Sequence, residues 1–331
     1  MRDEVELFDG PEAIFGCRHV AAAPRDRPVG VVVCSSVGPD AAASYGAEGR
    51  LGRALARAGV TVQRFHYRGT GASDGATDEL SFTTMVADAR AALDRLRTCV
   101  APAVVGVVGV RLGALVAARL AASLDGAPVA LWAPAADARQ VLEAAARARA
   151  AHHPVLDPAP PRPGAGPDAG PDTGFDPWLP DGAAAPELDV FDLPLAADLI
   201  DGVVVGSLLD ELRGGSGDVL LVQTAAGRVA TERARSLVER CRAAGLRVDA
   251  ATLPRHEEHD GVPTPTGDAG PLVDHTAAWL VARLAPAAPP AAASGSPGAP
   301  GVGSPASGSS GVGSPPSPAV TTSSGDRETT S

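Results

Sequence analysis

Four short runs hold the residues best able to do chemistry. Gly109-Val110-Arg111-Leu112-Gly113 sets one arginine between two glycines, and Cys34-Ser35-Ser36 gathers a thiol and two hydroxyls. His66 opens a stretch with Gly69, Gly71 and Gly75, while His256 and His259 share a loop with Glu257, Glu258 and Asp260. An imidazole can act as a general base, and a thiol or hydroxyl can attack an acyl carbon. Arginine does neither, because its guanidinium stays protonated and has no lone pair to offer a carbonyl. Arg111 is suited instead to holding an anion, as a fixed positive charge beside the unpartnered N–H groups of a helix start, or to a salt bridge with a local Asp or Glu.

These runs need strands and helices to position them. The apolar, β-branched run 104–110 reads as a strand buried on both faces, and the Leu/Ala/Arg pattern that follows Gly113 reads as a helix. Upstream, residues 5–8 and 14–20 flank the turn cluster Asp9-Gly10-Pro11-Glu12 and form a hairpin. Residues 29–34 and 60–65 read as strands, and 43–58 and 82–97 as amphipathic helices, the first of them stopped by Gly59. Cys34-Ser35-Ser36 and His66 thus stand at the ends of two strands. Downstream, the pattern predicts strands at 128–132, 218–223 and 248–253. It predicts helices at 136–151, within 194–213, at 229–244 and at 271–284. Strands alternating with helices imply parallel pairing through right-handed crossovers, hence a doubly wound α/β sheet of about eight strands with flanking helices.

Two segments stand apart by composition. Residues 153–186 are crowded with Pro, Gly and Asp and read as a flexible insert, and residues 286–331 form a Ser/Gly/Pro-rich tail with Gly-Val-Gly-Ser-Pro at both 301–305 and 311–315. Residues 1–285 are expected to make one domain. The net charge of -11 excludes a surface built to neutralise nucleic-acid phosphates. No apolar run is long enough to span a bilayer, and the four cysteines, Cys17, Cys34, Cys99 and Cys241, show no paired spacing. A cytoplasmic protein with reduced thiols fits. No cofactor is expected: the glycines at 69–75 lack the Gly-Lys-Ser/Thr ending of a phosphate loop in a chain with no lysine at all, and no dinucleotide fingerprint opens a helix. No metal is expected either, since ligands normally come from more than one element and His256 and His259 sit in a single acidic loop.

The leading hairpin, the alternation and the Gly-x-x-x-Gly turn after the fifth strand resemble the α/β-hydrolase superfamily. The segment Phe65-His66-Tyr67-Arg68-Gly69-Thr70-Gly71-Ala72-Ser73 is similar to the Asp-Tyr-Arg-Gly-x-Gly-x-Ser segment of serine-aminopeptidase-like and lysophospholipase-like members. Gly109-Val110-Arg111-Leu112-Gly113-Ala114 resembles a Gly-Leu-Arg-Leu-Gly-Ala variant in hydrolase-like proteins of exosortase systems, and Leu131-Trp132-Ala133-Pro134 is similar to the same group. The resemblance implies an acyl (ester or amide) hydrolase site in which the elbow residue attacks, a histidine takes its proton and an acid orients the histidine. It puts Arg111 at the nucleophile position between Gly109 and Gly113, the oxyanion donors at the N–H groups of Leu112 and of Ser35 or Ser36, and the base at His259 or His256. The acid is expected after Val222, where Gln223 to Arg228 offer none. Three functions follow as alternatives. The first is a non-catalytic or non-standard binder of a small acyl or anionic ligand at Arg111. The second is a hydrolase with its nucleophile relocated to Cys34, Ser35 or Ser36 and His256 or His259 as its base, Cys34 and His66 bordering the pocket. The third is a protein-binding scaffold.

Overall fold

Val31, Val32 and Val33 are fully buried on both faces of one strand, and each such side chain contributes about 1.5 kcal/mol or more by leaving water. Around them the computed structural model describes residues 2–23, 26–135, 188–190, 193–195, 208–215, 217–225, 229–254 and 269–285, all within the unit Met1–Pro286. Strands β1 (Arg2–Phe8) and β2 (Ile14–Val20) form the antiparallel hairpin. Then come β3 (Val29–Cys34), helix α1 (Gly38–Arg57), β4 (Thr61–Phe65), α2 (Phe82–Val100), β5 (Val104–Val110), α3 (Gly113–Ala121) and β6 (Val129–Trp132). A small hairpin of β7 (Leu188–Val190) and β8 (Leu193–Leu195) is followed by α4 (Leu208–Arg213), β9 (Val219–Ala225), α5 (Glu232–Ala243), β10 (Val248–Pro254) and α6 (Gly270–Arg283).

The main sheet has eight strands in the order β1-β2-β4-β3-β5-β6-β9-β10, parallel from β4 through β10. One apolar layer joins α2, α3, α4 and α5 to one face, through residues such as Met85, Leu96, Leu115, Leu120, Leu208 and Leu237. A second joins α1 and α6 to the other face, through Leu51, Leu55, Trp279 and Leu280. The buried Trp132 indole N–H donates to Thr276 Oγ1 at 2.9 Å, pinning α6 to β6.

The structure moves several boundaries. Helix α1 starts at Gly38 rather than at 43, because Pro39 sits in its first turn, where its missing N–H costs nothing, and Asp40 complements the helix dipole there. Helix α2 begins with a capping box, Ser81 and Thr84 each satisfying the other's backbone N–H, and runs to Val100. That is three positions beyond the predicted stop at 97, and the left-handed residue Ala101 caps it. The range predicted to hold a helix contains Leu208–Arg213, while at its start Leu193–Leu195 is a strand facing Leu188–Val190; Pro194, lacking an N–H, suits an edge strand and breaks a helix. The expected helix at 136–151, the insert 153–186 and the tail 286–331 lie outside the described residues.

Candidate functional site at the carboxyl edge of the sheet

The turn between β5 and α3 is tight because both glycines are needed. A Cβ on Gly113 would collide with the carbonyl oxygens of Cys34 and Ser35, and one on Gly109 would press on Ala114 and Ala117 at 2.6 Å. Arg111 between them sits at φ +53, the left-handed region that costs a non-glycine residue about 1–2 kcal/mol. It is held there by its N–H donating to Trp132 O at 3.0 Å and its carbonyl accepting from Ala114 and Ala135 at 3.2 and 3.3 Å. Its guanidinium reaches Asp40, in the first turn of α1, through Nε alone at 3.1 Å, and 39% of the side chain stays exposed. The salt bridge and the exposed cation therefore coexist.

The loop after β3 stands one strand away, since Cys34 and Gly109 are register partners. Ser35, partly exposed, donates its hydroxyl to Glu48 Oε2 at 2.6 Å, while Tyr67 OH donates to Ser35 O at 3.2 Å. Glu48 is completely buried, yet its carboxylate also accepts from Ser44 Oγ at 2.7 Å and from Arg64 Nη2 at 3.5 Å. The Arg64 guanidinium lies 4.4 Å from the centre of the Tyr45 ring. Cys34, a candidate for the relocated nucleophile, is instead sealed in the core at 0% exposure. Burial pushes its thiol far up, with the Glu48 charge adding to the effect and the Tyr67 hydrogen bond opposing it, so no thiolate is accessible. Ser36 is buried, and its hydroxyl has no hydrogen-bond partner among the described residues.

His66, at the end of β4, accepts the Ala72 N–H at Nδ1, 3.1 Å away, and stacks on Phe15 with ring centroids 4.8 Å apart. Burial, reinforced by the nearby Arg64 and opposed by Glu48, lowers its pKa. The ring is thus neutral with its proton on Nε2, placed as a packed donor. The glycine-rich loop beyond it is anchored by Arg68, whose Nε and Nη2 lie 3.1 and 2.6 Å from Asp88 Oδ1 while its backbone N–H donates to Oδ2 at 2.9 Å. Asp88, on α2, is fully buried.

The fold is similar to that of solved structures. Est1E from Butyrivibrio proteoclasticus, solved with ferulic acid bound, matches with a TM-score of 0.57 at 14% identity, over 85% of this chain and 100% of its own. A Pyrococcus furiosus esterase matches with a TM-score of 0.56 at 14% identity, over 86% of this chain and 91% of its own. Residues 29–166 match the family described as serine aminopeptidase, S33. The chain has the α/β-hydrolase fold. No curated protein matches it in sequence.

Within the α/β-hydrolase fold the structure brings Arg111, Leu112, Ser35, Ser36 and His66 to one edge of the sheet, with Leu112 buried at the start of α3. His256 and His259 lie outside the described residues. At the end of β9, Gln223 exchanges hydrogen bonds with Thr231 at 3.3 Å, and the strand's last residues carry no carboxylate. Among the described residues, no group of three or more His, Cys, Asp or Glu side chains could hold a metal ion, and no helix is long and apolar enough to cross a membrane. Sequence reasoning missed Asp40, Glu48, Arg64 and Asp88. For two of these a signal existed: Asp40, Ser44 and Glu48 recur every four residues, a polar stripe along α1 once its true start is known.

Proposed function

We propose that this α/β-hydrolase-fold chain binds a small acyl ligand bearing a carboxylate or similar anion, with Arg111 as the recognising cation and no covalent chemistry at the elbow itself. The observation that carries this reading is the state of the guanidinium. It is strained into position at the start of a nine-residue helix and half-exposed at the edge where α/β sheets bind ligands, and it contacts Asp40 through Nε alone. Its two Nη groups make no hydrogen bond among the described residues, which leaves one edge of the fork for a bidentate carboxylate. The fold similarity to Est1E, solved with an aromatic acid, supports testing aromatic as well as aliphatic acids. The four free cysteines support a reducing, cytoplasmic setting.

Titration calorimetry of the full chain with acetate, butyrate and benzoate tests the reading. Arg111→Ala should weaken binding by about 10- to 100-fold, the worth of a charge-assisted pair. Asp40→Asn, which removes the internal competitor, should strengthen it. Equal affinity in wild type and Arg111→Ala refutes the proposal. A second reading, an ester hydrolase whose nucleophile lies outside the elbow, is favoured by the partly exposed, hydrogen-bonded hydroxyl of Ser35 in the loop after β3.

A further inference from the structure

The pairing of Ser35 with a wholly buried Glu48 is costly unless something depends on it. A carboxylate taken out of water is expensive even when paired, and Glu48 meets that cost with two hydroxyls and the 3.5 Å contact to Arg64. Three observations say what Ser35 is placed for. Its hydroxyl already donates to a carboxylate oxygen at 2.6 Å, the contact a general base makes with the proton it will take. Its backbone is fixed by Tyr67 OH and by the close approach of Gly113, so the hydroxyl is held rather than swinging. The strand register sets the loop one strand, about 4.8 Å, from the elbow, where the Arg111 guanidinium, held by Asp40 through Nε alone, can stabilise a developing oxyanion. Of the loop's three candidate nucleophiles, Cys34 is sealed and Ser36 is buried; Ser35 alone is partly exposed.

We propose that Ser35 and Glu48 form an acyl-transfer dyad acting on aryl esters, an inference that rests on the second reading above and names its nucleophile and base. Ser35 Oγ bonds to the acyl carbon as its proton passes to Glu48 Oε2, and the bond from the acyl carbon to the aryloxide oxygen breaks. Because Glu48 is fully buried it cannot hand that proton to a leaving group. The substrate class is therefore one whose leaving group departs as a stable anion, a phenolate rather than an amine. Water then adds to the acyl carbon, the Ser35 Oγ–carbon bond breaks with the Glu48 proton returning to Oγ, and the carboxylate leaves while the water's two protons pass to solvent.

The test uses the full chain with a fluorophosphonate, which would bond to the serine oxygen with loss of fluoride, and p-nitrophenyl acetate, with the labelled residue located by peptide mass. The dyad requires labelling at Ser35, its loss in Ser35→Ala, and a fall of about 100-fold or more in Glu48→Gln. It also requires that the acid limb of the wild-type pH–rate profile vanish in Glu48→Gln, which a merely structural role would not cause. Should Glu48→Gln fail to fold, Ser35→Cys serves: its thiol, though only partly exposed, should be alkylated by iodoacetamide faster than the exposed Cys99, and slower alkylation overturns the role of Glu48 as base. A label on any other residue overturns the dyad while keeping a relocated nucleophile. No label and no ester hydrolysis above the Ser35→Ala blank overturns both, and leaves the carboxylate binding at Arg111 to stand or fall by its own titration.

Discussion

Replacing Arg111 by glycine and, separately, by alanine isolates the strain stored in the elbow. Both variants lose the ion pair with Asp40, so that half-exposed contact cancels in the comparison. What differs is the backbone. At φ +53 a Cβ costs about 1–2 kcal/mol, and glycine escapes that cost. Glycine also gains freedom in the unfolded chain, which returns about 0.5–1 kcal/mol to the unfolded side. The balance favours Arg111→Gly over Arg111→Ala by about 1 kcal/mol. With a urea dependence of about 1–3 kcal/mol per M, the glycine variant should unfold at a midpoint about 0.3–1 M higher. The assay is urea unfolding of the full chain followed by circular dichroism, with equal slopes in both variants. If Arg111→Ala proves as stable as Arg111→Gly, the left-handed elbow is not strained, and strain can no longer be offered as a reason to assign Arg111 a role.

Asp88→Ala should cost about 3–5 kcal/mol, because it leaves the Arg68 guanidinium and backbone N–H without the carboxylate they share in the interior. The same unfolding assay reads it, and a loss under 1 kcal/mol would mean the glycine-rich loop is held by something else. Acid should destabilise the fold before its carboxylates titrate. Burial lowers the pKa of His19, with Asp3 partly opposing, and that of His66. Each ring binds fewer protons folded than unfolded, so its contribution is complete above the ordinary value of 6.5 and is lost as pH falls below it toward the lower folded value. Melting temperatures from pH 8 to 5 should therefore fall, and His19→Gln should flatten the slope; an unchanged slope would place the acid sensitivity elsewhere.

Much of the sheet was legible because its parallel strands are continuous β-branched runs. β3 falls on the predicted residues, and β4, β5 and β6 within one residue of them. Such runs carry their own burial signal. Helix starts were less legible: Gly38-Pro39-Asp40 reads as a turn by residue type, and only the packing of α1 turns it into a helical first turn. Buried charges were the least legible. Glu48 and Asp88 lie in amphipathic patterns where a lone acid reads as solvent-facing, and each becomes a core residue only because an arginine from a distant strand end, Arg64 or Arg68, meets it. The pairs span 16 and 20 residues, distances at which no local periodicity speaks.

The early start of α1 bears directly on the meaning of the elbow. Had the helix begun at 43, residue 40 would have belonged to a loop, and Arg111 would have faced the edge of the sheet with no fixed counter-charge. Because the helix begins at Gly38, Asp40 is fixed in its first turn and the guanidinium has a resident acid at 3.1 Å. A half-exposed pair of this kind contributes about 0–1 kcal/mol, too little to compete with a ligand carboxylate that takes both Nη groups at once. Under the proposed carboxylate binding, Asp40 is a placeholder that orients the guanidinium and gives way, and it weakens ligand affinity by no more than the pair itself is worth. On that reasoning, Asp40→Asn should raise carboxylate affinity by at most about 5-fold. A larger gain would mean that the pair is stronger than its exposure allows and that Arg111 is chiefly a structural cation.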